Sequence, residues 1–406
     1  MCSICKAYAG GPLAIEGSSG NTPVHYSPST VTINYDIGTL GTRSNSTADG
    51  LVLQAFNLWN NVSTATLQLS QGTDLSADID DTNYFDLIPD GSQNHPSSSD
   101  NLNPMVYDDD GQIVDDIFGI GASNDIAGFA ASVYFVGDDK FQEGYAVLNG
   151  KLPLTDSDII SLVTHEIGHF FGLDHSQLNI DNTETDSGAP AICSTASQDK
   201  YPVMYPFLCR LEISLHVDDI AAVSALYPAS NITTSFGQIN GSFVDTSGNP
   251  ILGANLWVEN TVTGATYSIV SDYLVQNTGF FSIYLPAGTY TLHANSINPI
   301  FFGASSVGPY SATAIDPSFQ APHPITPVSF EGSTPGSDEI ITILAGAAKQ
   351  VNFMLDGSGN VSVGTIITPP TSTPPLSDDG GMISLPVLLW FATGLVYLRR
   401  RQQSIT

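Results

Sequence analysis

The chain has 406 residues, 42% of them hydrophobic and 12% charged, with 40 acidic against 10 basic residues and a formal net charge of −30. That length holds two domains with cores of their own, and that hydrophobic content excludes a disordered chain. So acidic a surface repels nucleic acid and anionic headgroups, which removes nucleic-acid partners from consideration.

Residues 1–24, beginning MCSICKAYAGGPLAIEG, have no basic n-region and no sustained apolar run, so no signal peptide is visible as written. One CxxC, Cys2 and Cys5, does not complete a four-ligand zinc site. Next comes STVTINYDIGTLG, where Val31, Ile33, Tyr35 and Ile37 alternate as on a half-buried strand. A helix follows, with Val52, Ala55, Phe56 and Trp59 on one face and Ser46 or Thr47 as its N-cap. TATLQLS reads as a second strand. Residues 71–125 are polar and show no period, which predicts a long functional or ion-ordered loop. Within it, Asp108, Asp110, Asp115 and Asp116 lie around Gly111. Two readings stay open for them: oxygen ligands for Ca2+, or a solvated acidic turn. AGFAASVYFVG and EGYAVLNG are short strands.

The segment LTDSDIISLVTHEIGHFFG predicts a helix capped by Thr155, with Asp158 closing a capping box. Gly172 stands where a left-handed residue ends it. Three of the eight histidines fall between residues 165 and 175. His165 and His169, four apart, project from one helical face. Gly172 lets the chain turn and return His175 as a third ligand. Three neutral imidazoles hold Zn2+ with one position open. Glu166, rotated by roughly 100° from His165, is placed to take a proton from a zinc-bound water without itself ligating. Cys193 and Cys209, sixteen apart, pair as a disulfide in an exported protein and are buried thiols otherwise. DDIAAVSALYP is a second amphipathic helix, stopped by Pro228.

Beyond residue 230 short alternating strands cut by Gly, Asn and Pro turns predict an all-β sandwich over 230–358. Residues 359–381 form a linker rich in Pro, Ser, Thr and Gly. Residues 382–398, MISLPVLLWFATGLVYL, are uncharged and would make a helix about 25 Å long at ~1.5 Å per residue, a short single transmembrane helix. The arginines that open the basic tail, 399–406, would keep it in the cytoplasm.

His165, Glu166, His169, Gly172 and His175 together spell HExxHxxGxxH, and on it the chain resembles the metzincin zinc proteases. The resemblance implies an α+β catalytic domain, a mixed twisted sheet with a long active-site helix. It also implies a Met-turn, for which YPVMYP supplies Met204. GLDHS, the Met-turn sequence and HVDDIAAVSALYP resemble the matrixins over residues 25–229. That likeness implies a metalloendopeptidase for protein or peptide substrates, acting at the cell surface or secreted. The edge strand on which metzincins lay their substrate would be Gly128, Phe129, Ala130 and Ala131; a plain interior strand is the other reading. There are departures. Only His25 and His95 precede His165, too few for the second, structural zinc of matrixins, and the propeptide Cys-switch is missing. The later segment VDTSGNPILGANLWVEN resembles carboxypeptidase regulatory-like sandwiches, read here as a spacer or binding module. The DDGGM…RRR tail resembles bacterial sorting tails, which implies a C-terminal sorting protease as partner; a simple membrane anchor is the alternative. A different class, a non-catalytic surface adhesin on a metzincin scaffold, is opposed by the intact Glu166.

Overall fold

The computed structural model describes residues 11–16, 22–88, 101–134, 137–176, 178, 198–210, 212–296, 325, 327–331 and 336–355. The linker 359–381, the apolar segment 382–398 and Cys193 lie outside the described residues. Among the described residues, no helix is long and apolar enough to cross a membrane.

A two-stranded pair, β1 (Ile15–Glu16) and β2 (Thr22–Pro23), precedes the main sheet. That sheet contains β3 (Thr30–Tyr35), β4 (Gln68–Gln71), β5 (Pro104–Asp108), β6 (Gly128–Tyr134) and β7 (Phe141–Asn149) in the order β4-β3-β5-β7-β6. All neighbours are parallel except β6, which runs antiparallel to β7 at the edge. Helices α1 (Asn45–Asn60) and α3 (Asp156–Phe170) pack together on one face. Trp59 locks them: its indole N–H donates to the Thr164 carbonyl at 3.0 Å, and its ring stands edge-on to Phe171.

Alternation along the strands divides two cores. Met105, Tyr107, Ala146 and Leu148 face the helices, while Val106 and Val147 face the other way. That second face is covered by Leu75, Ile79, Tyr84, Ile88, Ile113 and Val114. Residues 71–125 are therefore not one long loop. They contain the central strand β5 and the helix α2 (Gln112–Phe118). A strand buried on both faces shows no polar alternation, so its periodicity is silent.

Two local expectations are corrected. The α1 N-cap is Ser44, whose Oγ accepts from the Thr47 N–H, and not Ser46 or Thr47. Ile37 is 46% exposed because β3 ends at Tyr35, where the Asp36 carboxylate accepts from the Gly38 N–H and turns the chain.

After α4 (Val217–Leu226) and the short α5 (Ile232–Ser235) the chain becomes β-rich. Strands β8 (Phe236–Asp245), β9 (Asn255–Asn260), β10 (Thr266–Val270), β11 (Phe280–Pro286), β12 (Gly288–Asn295), β13 (Val328–Ser329), β14 (Ile341–Ile343) and β15 (Ala348–Leu355) form two sheets. One has the order β11-β8-β15; the other is β10-β9-β12 with β13 and β14 both on β12. A single apolar cluster joins the helices of the first region to both of these sheets.

Candidate metal centre

Helix α3 starts at a capping box. The Asp158 N–H donates to Thr155 Oγ1 at 3.2 Å, and the Asp158 carboxylate accepts from the Thr155 N–H at 3.0 Å. Its last turns are buried on every side, and His165, Glu166 and His169 are all at most 1% exposed. The helix ends where Gly172 takes φ +106°. A Cβ there would meet the Phe141 ring and the Val24 carbonyl, so a side chain is excluded by strain and by space. The reversed chain brings His175 back into the same buried site.

The three Nε2 atoms converge: His169 Nε2 lies 3.1 Å from that of His165 and 3.2 Å from that of His175. His165 Nδ1 is 2.7 Å from the Val203 carbonyl, and His169 Nδ1 is 2.8 Å from the Leu173 carbonyl. A carbonyl only accepts, so both Nδ1 atoms carry the proton, and the Nε2 atoms present lone pairs to one another. Facing lone pairs repel unless a cation lies between them. Nitrogens about 2.1 Å from one tetrahedral zinc stand roughly 3.4 Å apart, close to the spacing seen. Burial pushes His165 down to about 4 and His169 to about 3, with the His165 charge adding to the latter, and holds His175 well below the usual imidazole range. All three are thus neutral, as ligation requires. Among the described residues this is the group of His, Cys, Asp and Glu side chains whose ligand atoms come close enough together to hold a metal. The donor set fits zinc.

Glu166 is fully buried, neither carboxyl oxygen has a hydrogen-bond partner, and burial pushes its pKa well up. An orphaned buried carboxyl is costly, which marks a group kept for what enters the site. Gly128, the first residue of β6, lies alongside: a Cβ there would stand 3.5 Å from Glu166 Cγ. The edge strand carrying Gly128, Phe129, Ala130 and Ala131 therefore starts at the carboxyl and runs antiparallel to β7.

Met204 lies beneath α3. Its thioether is so close to Gly168, between the two helical ligands, that no side chain fits at that glycine. The turn is held by Asp219 of α4, whose carboxylate accepts from Val203 N–H at 2.9 Å, Met204 N–H at 3.1 Å and His216 N–H at 2.8 Å. The carbonyl of Val203 in turn fixes His165. Sequence reasoning missed Asp219 as a supporting residue. The signal was present, since an acidic pair opens an otherwise apolar helix at residues 218–219. Cys209 is disulfide-bonded; Cys2, Cys5 and Cys193 lie outside the described residues.

Asp108, Asp110, Asp115 and Asp116 are not brought together as one ligand set. Asp108, 2% exposed, accepts from Ile113 and Val114 N–H at the start of α2. Asp110 accepts from Gln112 N–H, Asp115 from Ser123 and Gly121 N–H, and Asp116 from the Gln112 side chain. Burial pushes the Asp108 carboxyl up to about 6, against the pull of its N–H donors. Its contribution to stability is therefore fully present below about pH 3.8 and lost as pH rises through about 6. At roughly 1.4 kcal/mol per pH unit of that window, Asp108→Asn should gain about 3 kcal/mol on the parent between pH 4 and 7. Urea unfolding of both proteins across that range measures the difference. Calcium bound by this carboxylate would keep it ionised and abolish the slope.

No curated protein matches the chain. Among solved structures, a 5-hydroxyisourate hydrolase of Klebsiella pneumoniae is 16% identical over 30% of this chain and 90% of that one. Its TM-score of 0.17 carries no argument. Residues 26–181, which include all three histidines, Glu166 and β6, match the Matrixin family model (peptidase family M10), and the match supports a matrixin-like metzincin.

Proposed function

We propose that the protein is a zinc-dependent endopeptidase that hydrolyses protein or peptide substrates. The observation that carries this reading is the convergence of three buried imidazole Nε2 atoms beside a buried carboxyl with no partner. Zinc held by His165, His169 and His175 supplies Lewis-acid polarisation. Glu166 takes the proton of the attacking water on a carboxyl oxygen and returns it to the leaving nitrogen. Burial alone favours its neutral form, whereas a dication beside it favours the ionised form that a base needs. An extended substrate would add as a strand along β6, the edge of the sheet among the described residues, with its scissile bond delivered next to Glu166. Gly128 lets β6 pack closely against the Val147 carbonyl, Leu162 and Glu166. Met204 supports the helix at Gly168, and the Val203 and Leu173 carbonyls orient two of the imidazoles.

The remaining assignments follow the same reading. Residues 25–229 form the protease domain and 230–358 a β-sandwich. The 382–398 segment anchors the protein, or routes it to a sorting protease, at the cell surface. The bond at Cys209 suits an oxidising compartment and a Cys193–Cys209 pair. Casein zymography of the purified chain tests the activity. A cleared band that a chelator abolishes and zinc restores is expected. No clearing by zinc-loaded protein, or clearing indifferent to the chelator, overturns the proposal.

A further inference from the structure

His175 differs from the other two histidines. Its Nδ1 has no hydrogen-bond partner, where His165 and His169 each face a carbonyl. The Asp174 carboxylate is 3.9 Å from His175 Nδ1, beyond hydrogen-bond reach, so the hold on its backbone counts for more than at the other two. The Asp174 carboxylate accepts from the His175 N–H at 2.7 Å, and the Ser176 N–H donates to the Met204 carbonyl at 2.8 Å. The third hold on this segment comes from much further along the chain. Ser176 Oγ donates to Asp218 Oδ2 at 2.8 Å. Asp218 Oδ1 accepts from the backbone N–H of Ser268, in β10, at 2.8 Å. Ser268 Oγ is 3.3 Å from Asp218 Oδ2 and 3.1 Å from Ser176 Oγ. Ser176, Asp218 and Ser268 are 0%, 1% and 2% exposed.

The adjacent acids of α4 thus face two ways. Asp219 holds the Met-turn, while Asp218 joins the His175 segment to the β-rich region. Strand β10 is at the edge of its sheet, yet all five of its residues are buried, because α4 packs against it. A buried carboxyl shared by three donors is a stiff joint, since losing any donor leaves a buried oxygen without water to replace it. The β-rich region read from sequence as a spacer or binding module is, at this point, part of the support of the metal centre.

We infer that Ser268 is a positioning residue for the metal centre, fixing the His175 segment through Asp218 and Ser176. The inference rests on the three histidines being a zinc site, and its test separates the two ideas. Full-length zinc-loaded chain is mixed with excess chromophoric chelator and the zinc release rate recorded, with thermal melts run in parallel. Ser268→Ala and Ser176→Ala should each release zinc roughly three- to tenfold faster, at or below the ~10–100-fold seen when a group orienting a ligand directly is removed. The double variant should be little faster than the faster single, because both act through one carboxylate. The visible spectrum of cobalt-loaded Ser268→Ala should differ from the parent, a change that a loss of sandwich stability alone does not produce. If Ser268→Ala melts early, Asp218→Asn reads the same link, since it keeps an acceptor for the Ser268 N–H while weakening the hold on Ser176; it too should speed release. Parental release from Ser268→Ala or Asp218→Asn, or effects of the two serine changes that simply multiply, overturns the inference while leaving the zinc site intact. A parent chain that takes up no zinc overturns the site itself and this inference with it.

Discussion

Glu166→Ala is expected to keep zinc and fold while losing about 10²–10⁴-fold in turnover, or roughly 3–5 kcal/mol of barrier. The expectation follows from the separation of roles in the site. The histidines contribute every nitrogen that converges, and neither Glu166 oxygen bonds to any of them. Removing the carboxyl breaks no hydrogen bond and relieves a buried polar group of its desolvation cost, offset in part by the cavity it leaves. Ala is also the strongest helix former, so α3 is undisturbed. Zinc content and melting temperature should match the parent, with kcat reduced. Near-parental cleavage of a peptide would assign the proton to another group. Loss of zinc would make Glu166 a structural residue.

The centre of the site was legible because its chemistry is local. A capping box, an i, i+4 histidine pair and a left-handed glycine lie within eighteen residues of sequence, from Thr155 to Gly172, and each constrains the next. Strand β3 was legible from the alternation of Val31, Ile33 and Tyr35, whereas β5 was not, since Met105, Val106 and Tyr107 are buried on opposite faces and nothing alternates. The cap of α1 fell in a run of Ser and Thr where several hydroxyls compete, and the structure chose Ser44. The supports of the site were hidden for a different reason. Asp219 acts on residues 15 and 16 positions earlier, and Asp218 meets Ser268 fifty positions later. Such pairings are decided by tertiary packing, and a sequence shows only two acids at the head of an apolar helix.

His169→Ala should abolish both zinc binding and proteolysis, and it should do so more completely than any change outside the three ligands. His169 stands at the middle of the cluster: its Nε2 is the atom within 3.2 Å of both other Nε2 atoms. Without it, two imidazoles remain on opposite sides of a gap, and a cation there would have to complete its shell with water in a site that buries every ligand. The Leu173 carbonyl also loses its donor, which loosens the chain just after Gly172, where it turns back towards His175. The damage therefore reaches the third ligand as well as the second. Metal analysis after desalting should find less than a tenth of the parental zinc, and the zymogram should stay dark even in added zinc, unlike the chelated parent. His169→Gln restoring neither metal nor activity would agree, because its amide lacks the imidazole lone pair at that position. A His169→Ala protein that keeps stoichiometric zinc would place the metal elsewhere and dissolve the site as described.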